Sequence, residues 1–178
     1  MKYNIQYYKY NTKIMNFKQT ITNLFNVDRL CNVHNLLDLN DINNKLFSNK
    51  EDSSTMLHSM FYKKLNEGWP EFMNMYKLLI NSTIMDIYNV DTIIYQAKPT
   101  FRVQLPNNIA VGGNSNDSPE RYGWHKDSDP KYDHPIVERN FILPLTTSQK
   151  EASVYIETAP HSNEFSPARM NTGEIFSF

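Results

Sequence analysis

The chain has 178 residues, 40% hydrophobic and 13% aromatic, with a formal net charge of −1 at pH 7. That length supports one core-bearing domain and leaves little room for two, and the composition describes a soluble globular domain rather than a disordered or membrane one. Lys and Arg are scattered rather than striped and no apolar run approaches the ~18 residues that span a bilayer, so neither nucleic acid nor membrane is an expected partner.

Cys31 is the single cysteine, which leaves no internal disulfide and no cysteine pair for zinc. A reducing, cytoplasmic setting is the expectation. The N-terminus, Met1-Lys2-Tyr3-Asn4, runs into a polar, Tyr-rich stretch unlike a secretory signal. The many Asn, Lys, Ile and Tyr residues read as coding bias rather than chemistry.

In chain order, residues 17–47 predict one or two short helices, with Leu24, Phe25, Leu30, Val33, Leu36 and Leu37 as buried candidates. Ser53-Ser54 is placed to cap a helix that carries Met56, Leu57, Met60, Phe61 and Leu65 at near-helical spacing and stops at Gly68. Pro70 suits the first turn of the next helix, whose apolar face runs through Phe72, Met73, Met75, Tyr76, Leu79, Ile80, Ile84 and Ile87. These Met and aromatic stripes read as core packing that buttresses a β unit.

Near residue 95 the pattern turns to short strands and turns. Tyr95–Leu105 reads as a strand ending at Pro106-Asn107-Asn108, and Gly112–Pro119 as a loop. Tyr122–His125, Val137–Leu145, Ser153–Glu157 and Gly173–Phe178 follow as further strands. Strands at this spacing predict a sandwich or barrel. The expected fold is a single α+β domain, helical over 1–94 and β over 95–178.

The candidate chemistry centres on Trp124-His125-Lys126-Asp127. Two residues apart on extended backbone, His125 and Asp127 present an imidazole and a carboxylate on one side. That is two-thirds of a 2-His-1-carboxylate iron site. The same alternation puts Arg102 with Gln104, and Glu138 with Asn140, on shared strand faces; Phe141 and Leu143 take the opposite face from the latter pair. A buried Arg102 needs an anionic partner, either a cosubstrate or a core acid such as Glu138.

Taken in order, Arg102-Val103-Gln104-Leu105-Pro106, the 124–127 tetrad, Tyr132-Asp133-His134-Pro135, Glu138-Arg139-Asn140-Phe141-Ile142-Leu143-Pro144-Leu145-Thr146 and Val154-Tyr155-Ile156-Glu157 resemble the Fe(II)/2-oxoglutarate-dependent oxygenases. The branch they are most similar to is the StrG-like group, allied to the phytanoyl-CoA hydroxylase type. The resemblance covers roughly 95–178, and the first 90 residues carry no recognisable motif. It implies a double-stranded β-helix, a jelly-roll barrel of cupin-like form with helices packed on it, in which Phe165–Met170 is a further strand. It implies His125 and Asp127 as metal ligands and catalytic residues, with Asn140, Arg102 and Gln104 as contacts to 2-oxoglutarate or substrate. Fe(II) is the implied cofactor and 2-oxoglutarate the cosubstrate, oxidised to succinate and CO2 as a small-molecule substrate is hydroxylated.

The family's distal histidine and its 2-oxoglutarate-anchoring arginine have no counterpart before Phe178. His134 and His161 align with loop histidines that are not ligands in the family, and His34 and His58 read as surface or packing residues. The chain therefore reads as an oxygenase core lacking its last strands, a fragment of a longer frame, with Gly173–Phe178 as an open strand edge prone to aggregation or dimerisation. Little turnover is expected of the chain alone. The alternative is a non-catalytic ligand-binding module on a degenerate oxygenase fold.

Overall fold

The computed structural model describes residues 6–37, 55–103, 138–148, 153–159 and 162–178. These fall into two compact units that interleave along the chain: one comprises Met1–Leu30, Trp69–Ala97 and Arg139–Phe178, the other Cys31–Gly68 and Lys98–Glu138.

The first unit is organised around a sheet. Strand β1 (Gln6–Lys9) and strand β2 (Phe141–Ile142) flank strand β5 (Glu174–Ser177), and both pair with it antiparallel. The register sets Tyr7 and Ile142 against Phe176, and Gln6 and Phe141 against Ser177. Alternation along β5 then gives the sheet two faces. On one, Phe176 and Ile142 meet Ile156, Ala168 and Met170, with Val154 and Phe178 packed around them. Those partners belong to the second, two-stranded sheet of β3 (Tyr155–Glu157) and β4 (Phe165–Pro167) and its flanks, so the two sheets share one apolar core. On the other face, Phe141 and Ser177 both touch Tyr88.

Tyr88 ends a continuous helical run. It begins as α3 (Pro70–Leu79), widens into a π-helical turn at Ile80–Ile84 and closes as α4 (Met85–Tyr88). Pro70 takes the first position, where its missing N–H costs nothing. Phe72, Met75, Leu79, Ile80 and Ile84 form its buried stripe. Helix α1 (Phe17–Phe25) lies against α3 through Phe17 and Phe72, whose rings meet edge-on at 5.5 Å, and through the Thr20 hydroxyl, which donates to Glu71 Oε1 at 3.0 Å. Asn16 caps α1 by accepting from the Gln19 N–H. Asn26 and Asn89 end α1 and α4 in the left-handed conformation that asparagine tolerates.

The second unit is carried by helix α2 (Met56–Asn66), which buries Leu57, His58, Phe61 and Leu65 along one stripe. Gly68, at φ 87°, follows its end as the sequence predicts. Thr55 is the N-cap, while Ser53 and Ser54 lie outside the described residues. A 3-10 segment, Leu30–Leu36, is the other helical piece predicted within 17–47.

Four expectations are corrected. Tyr95–Val103, the described part of the predicted Tyr95–Leu105 strand, is irregular. Pro99 removes a ladder donor there, and Ile94, just before it, is 98% exposed. Arg102 lies in this irregular stretch and is exposed, so neither a shared strand face nor a buried guanidinium applies. Met56 and Leu36, both expected in the core, are exposed. Finally, β5 is no open edge: it is the central strand of its sheet, with Ile175 and Phe176 fully buried. The unforeseen partner is β1, a strand within the part of the chain read as helical.

Candidate functional site

Of the residues singled out for chemistry, His125, Asp127, Gln104, His134 and His161 lie outside the described residues. Asn140, Arg102, His34 and His58 can be placed.

Asn140 immediately precedes β2. Its carbonyl accepts from the Phe178 N–H at 3.4 Å, which extends the β2–β5 ladder by one pair. Two residues from Ile142, it shares that residue's face and so stands at the margin of the core between the two sheets, half-buried.

Arg102 belongs to the irregular strap Lys98–Val103, which is fastened to α2. The Phe101 N–H donates to the Tyr62 hydroxyl at 3.0 Å, and the Phe101 ring stacks on Phe61 at 4.6 Å between centroids. The Lys98 ammonium donates to the Asn66 side chain. His34 bonds locally, its Nδ1 lying 3.0 Å from the Cys31 carbonyl oxygen.

His58 is more unusual than its sequence suggested. It is 2% exposed, its Nδ1 lies 2.8 Å from Thr55 Oγ1, and its ring edge meets Phe101 at 5.7 Å. Its Nε2 is buried without a hydrogen-bond partner among the described residues. Burial, and secondarily the Arg102 charge, hold the imidazole pKa below its ordinary value. The helical spacing with Phe61 and Leu65 was the signal that places this histidine inside.

Among the described residues no group of three His, Cys, Asp or Glu side chains could hold a metal ion. A cleft of about 370 Å³ bordered by Tyr10, Lys13, Asn16, Phe17, Lys18 and Thr172 offers neither imidazole nor carboxylate. No described helix is long and apolar enough to cross a membrane.

The chain is similar to the streptomycin biosynthesis protein StrG of Streptomyces griseus. The two are 29% identical over 134 residues, 75% of this chain and 55% of the relative. The chain thus spans about half the length of the curated relative it matches. A match of 134 residues is longer than the motif-bearing stretch 95–178, so it extends well into the helical part, further than the motifs alone reach. Any uninterrupted stretch of that length within 178 residues also contains Trp124–Asp127. No family model and no solved structure matches the chain.

Proposed function

We propose that this chain is part of an Fe(II)/2-oxoglutarate-dependent oxygenase that hydroxylates a small-molecule substrate, with His125 and Asp127 as two of its three metal ligands. The observation that carries the reading is the His125-x-Asp127 pair, which lies inside the stretch matched by a protein named for streptomycin biosynthesis and is followed in sequence by the Glu138–Thr146 run in its expected order. That name supports a biosynthetic small molecule over a macromolecular substrate.

An imidazole nitrogen and a carboxylate oxygen are donors that would suit Fe(II), and His125 and Asp127 would supply them. When bound, iron with 2-oxoglutarate supplies the oxidising power for C–H hydroxylation. This chain's residues would do the holding and orienting: His125 would offer a ring nitrogen and Asp127 would offset part of the metal charge. The Asn140 amide, at the margin of the inter-sheet core, is the described side chain best placed for a cosubstrate or substrate contact.

Anaerobic titration of the chain with Fe(II) and 2-oxoglutarate tests this. A visible charge-transfer band that is lost in both His125→Ala and Asp127→Ala is expected. Binding unchanged in either variant refutes the ligand assignment.

A further inference from the structure

The strap Lys98–Val103 is held to α2 at three kinds of contact that converge on Phe101: its ring stacks on Phe61, its ring meets the edge of His58, and its N–H reaches the Tyr62 hydroxyl. His58 is the one imidazole inside that cluster. We propose that His58 is an acid-operated latch: protonation of its buried ring releases the Lys98–Val103 strap from helix α2.

The argument begins from what each protonation state demands. The neutral ring satisfies Nδ1 through Thr55 and leaves Nε2 unmet among the described residues, a tolerable cost for an uncharged nitrogen. The imidazolium carries a donor at both nitrogens. Thr55 can accept from Nδ1–H, but the second N–H then stays buried without an acceptor among the described residues, with a full charge on the ring. Burying such a charge unpaired is far costlier than burying a neutral polar group.

The surrounding charges offer no relief. From the strap, the charged group acting on the ring is Arg102, and it is of the same sign. On α2 itself, Lys63, Lys64 and Glu67 lie round the helix from His58, and Lys63 and Glu67 face each other at 4.0 Å. Among the described residues, then, nothing that packs on this ring rewards its protonation. Opening the strap hydrates the ring and separates it from Arg102, at the loss of the Phe61–Phe101 stack and of the Phe101–Tyr62 and Lys98–Asn66 hydrogen bonds.

The sign follows from linkage. The closed state binds the proton less readily than the open one, so closure is strongest above the ordinary histidine pKa of about 6.5 and weakens as pH falls below it. One proton limits the effect to about tenfold in the open/closed ratio per pH unit. The strap leads in sequence directly into the stretch that carries Gln104, His125 and Asp127, so its release is positioned to couple pH to whatever that stretch does.

Amide hydrogen exchange of the full chain between pH 7.5 and 5, corrected for intrinsic exchange, tests the latch together with NMR titration of the His58 ring. Protection of the Phe101 amide should fall by up to about tenfold per pH unit below ~6.5, with the midpoint of the His58 titration. His58→Phe keeps a ring against Phe101 and should abolish the dependence. Arg102→Gln should move the midpoint upward. Protection in the wild-type chain that ignores pH while His58 titrates overturns the proposal, whether or not the variant folds. So does unchanged pH dependence in His58→Phe.

Discussion

The Tyr88 and Ser177 hydroxyl oxygens lie 3.3 Å apart, joining the last turn of the helical run to the central strand of the sheet across 89 residues of sequence. Ser177 is 5% exposed, whereas Tyr88 is 38% exposed. The strand hydroxyl has lost access to water and the phenol has not. Phe141, paired with Ser177 in register, closes the contact by meeting the Tyr88 ring edge-on at 5.9 Å. One aromatic side chain therefore reads both the order and the register of the sheet beneath it.

This asymmetry makes the two deletions unequal. Tyr88→Phe leaves a buried Ser177 hydroxyl without that partner and is expected to cost about 1–2 kcal/mol. Ser177→Ala removes the buried polar group and leaves a phenol that water can reach, so about 0.5 kcal/mol or less is expected. Chemical denaturation of both variants and the double variant measures the difference; equal losses would show that the ring contact, not the hydroxyl pair, carries the stability.

Gly173 marks the turn into β5. Its φ of 90° lies in the region that L side chains rarely adopt, and an added Cβ would stand 3.2 Å from Thr12 Cγ2. The turn is otherwise well tied, with the Glu174 N–H donating to the Asn171 carbonyl and the Asn171 N–H to Glu174 Oε2. Gly173→Ala is expected to cost about 1–3 kcal/mol from backbone strain and a further increment from the contact. Gly68→Ala shares the positive φ but meets nothing within 4 Å, so its loss should be the smaller. Thermal melts of the pair check the order, and Thr12→Ala should rescue only part of the Gly173→Ala loss.

Helix α2 was legible because Leu57, Phe61 and Leu65 recur at helical spacing between a polar start and a glycine stop. The same arithmetic could have placed His58 in the core. Strand β1 was not legible: Gln6-Tyr7-Tyr8-Lys9 is too short and too polar to carry a period, and it becomes a strand because β5 presents it with unpaired backbone. The Tyr95–Leu105 reading failed for the opposite reason. Its apolar residues suggested a strand, but Pro99 and the tie of Phe101 to Tyr62 commit the backbone elsewhere. For the candidate site, residue type and spacing only proposed His125 and Asp127 as a metal-binding pair, and both lie outside the described residues, while the placement of Asn140 at the sheet depended on the β2–β5 register.

Phe176 is the test of the inter-sheet core. It is fully buried and packs with Ile142, Ile156, Ala168 and Met170, drawn from both sheets. Phe176→Ala is expected to cost about 3–5 kcal/mol, a large share of the roughly 5–15 kcal/mol typical of a domain. Tyr7 meets the same ring at a tilt of 41° and 5.5 Å from an exposed position, so Tyr7→Ala should cost about 1 kcal/mol. Denaturant midpoints compare the two; similar losses would argue that β1 contributes as much to the sheet as the core does.

Alkaline stability follows from the buried phenols. Burial raises the pKa of Tyr10, and burial together with neighbouring Tyr95 raises that of Tyr76. A phenol whose folded pKa exceeds its unfolded value of 10.0 stays protonated in the fold while the unfolded chain ionises. The unfolded state then binds fewer protons, so stability is fully present below pH ~10 and is lost as pH rises through the raised folded value. Tyr76 has a second reason to resist, since its hydroxyl donates to the Gln96 carbonyl at 2.7 Å and ionisation removes that donor. The melting temperature should therefore hold steady from pH 8 to about 10 and fall above it. Tyr10→Phe should flatten part of the fall, because it keeps the ring against Phe17 and removes the ionisation. Tyr76→Phe should flatten a further part but lower the plateau, because it also forfeits the Gln96 bond. A fall of the same slope in both variants would place the alkaline transition on other groups.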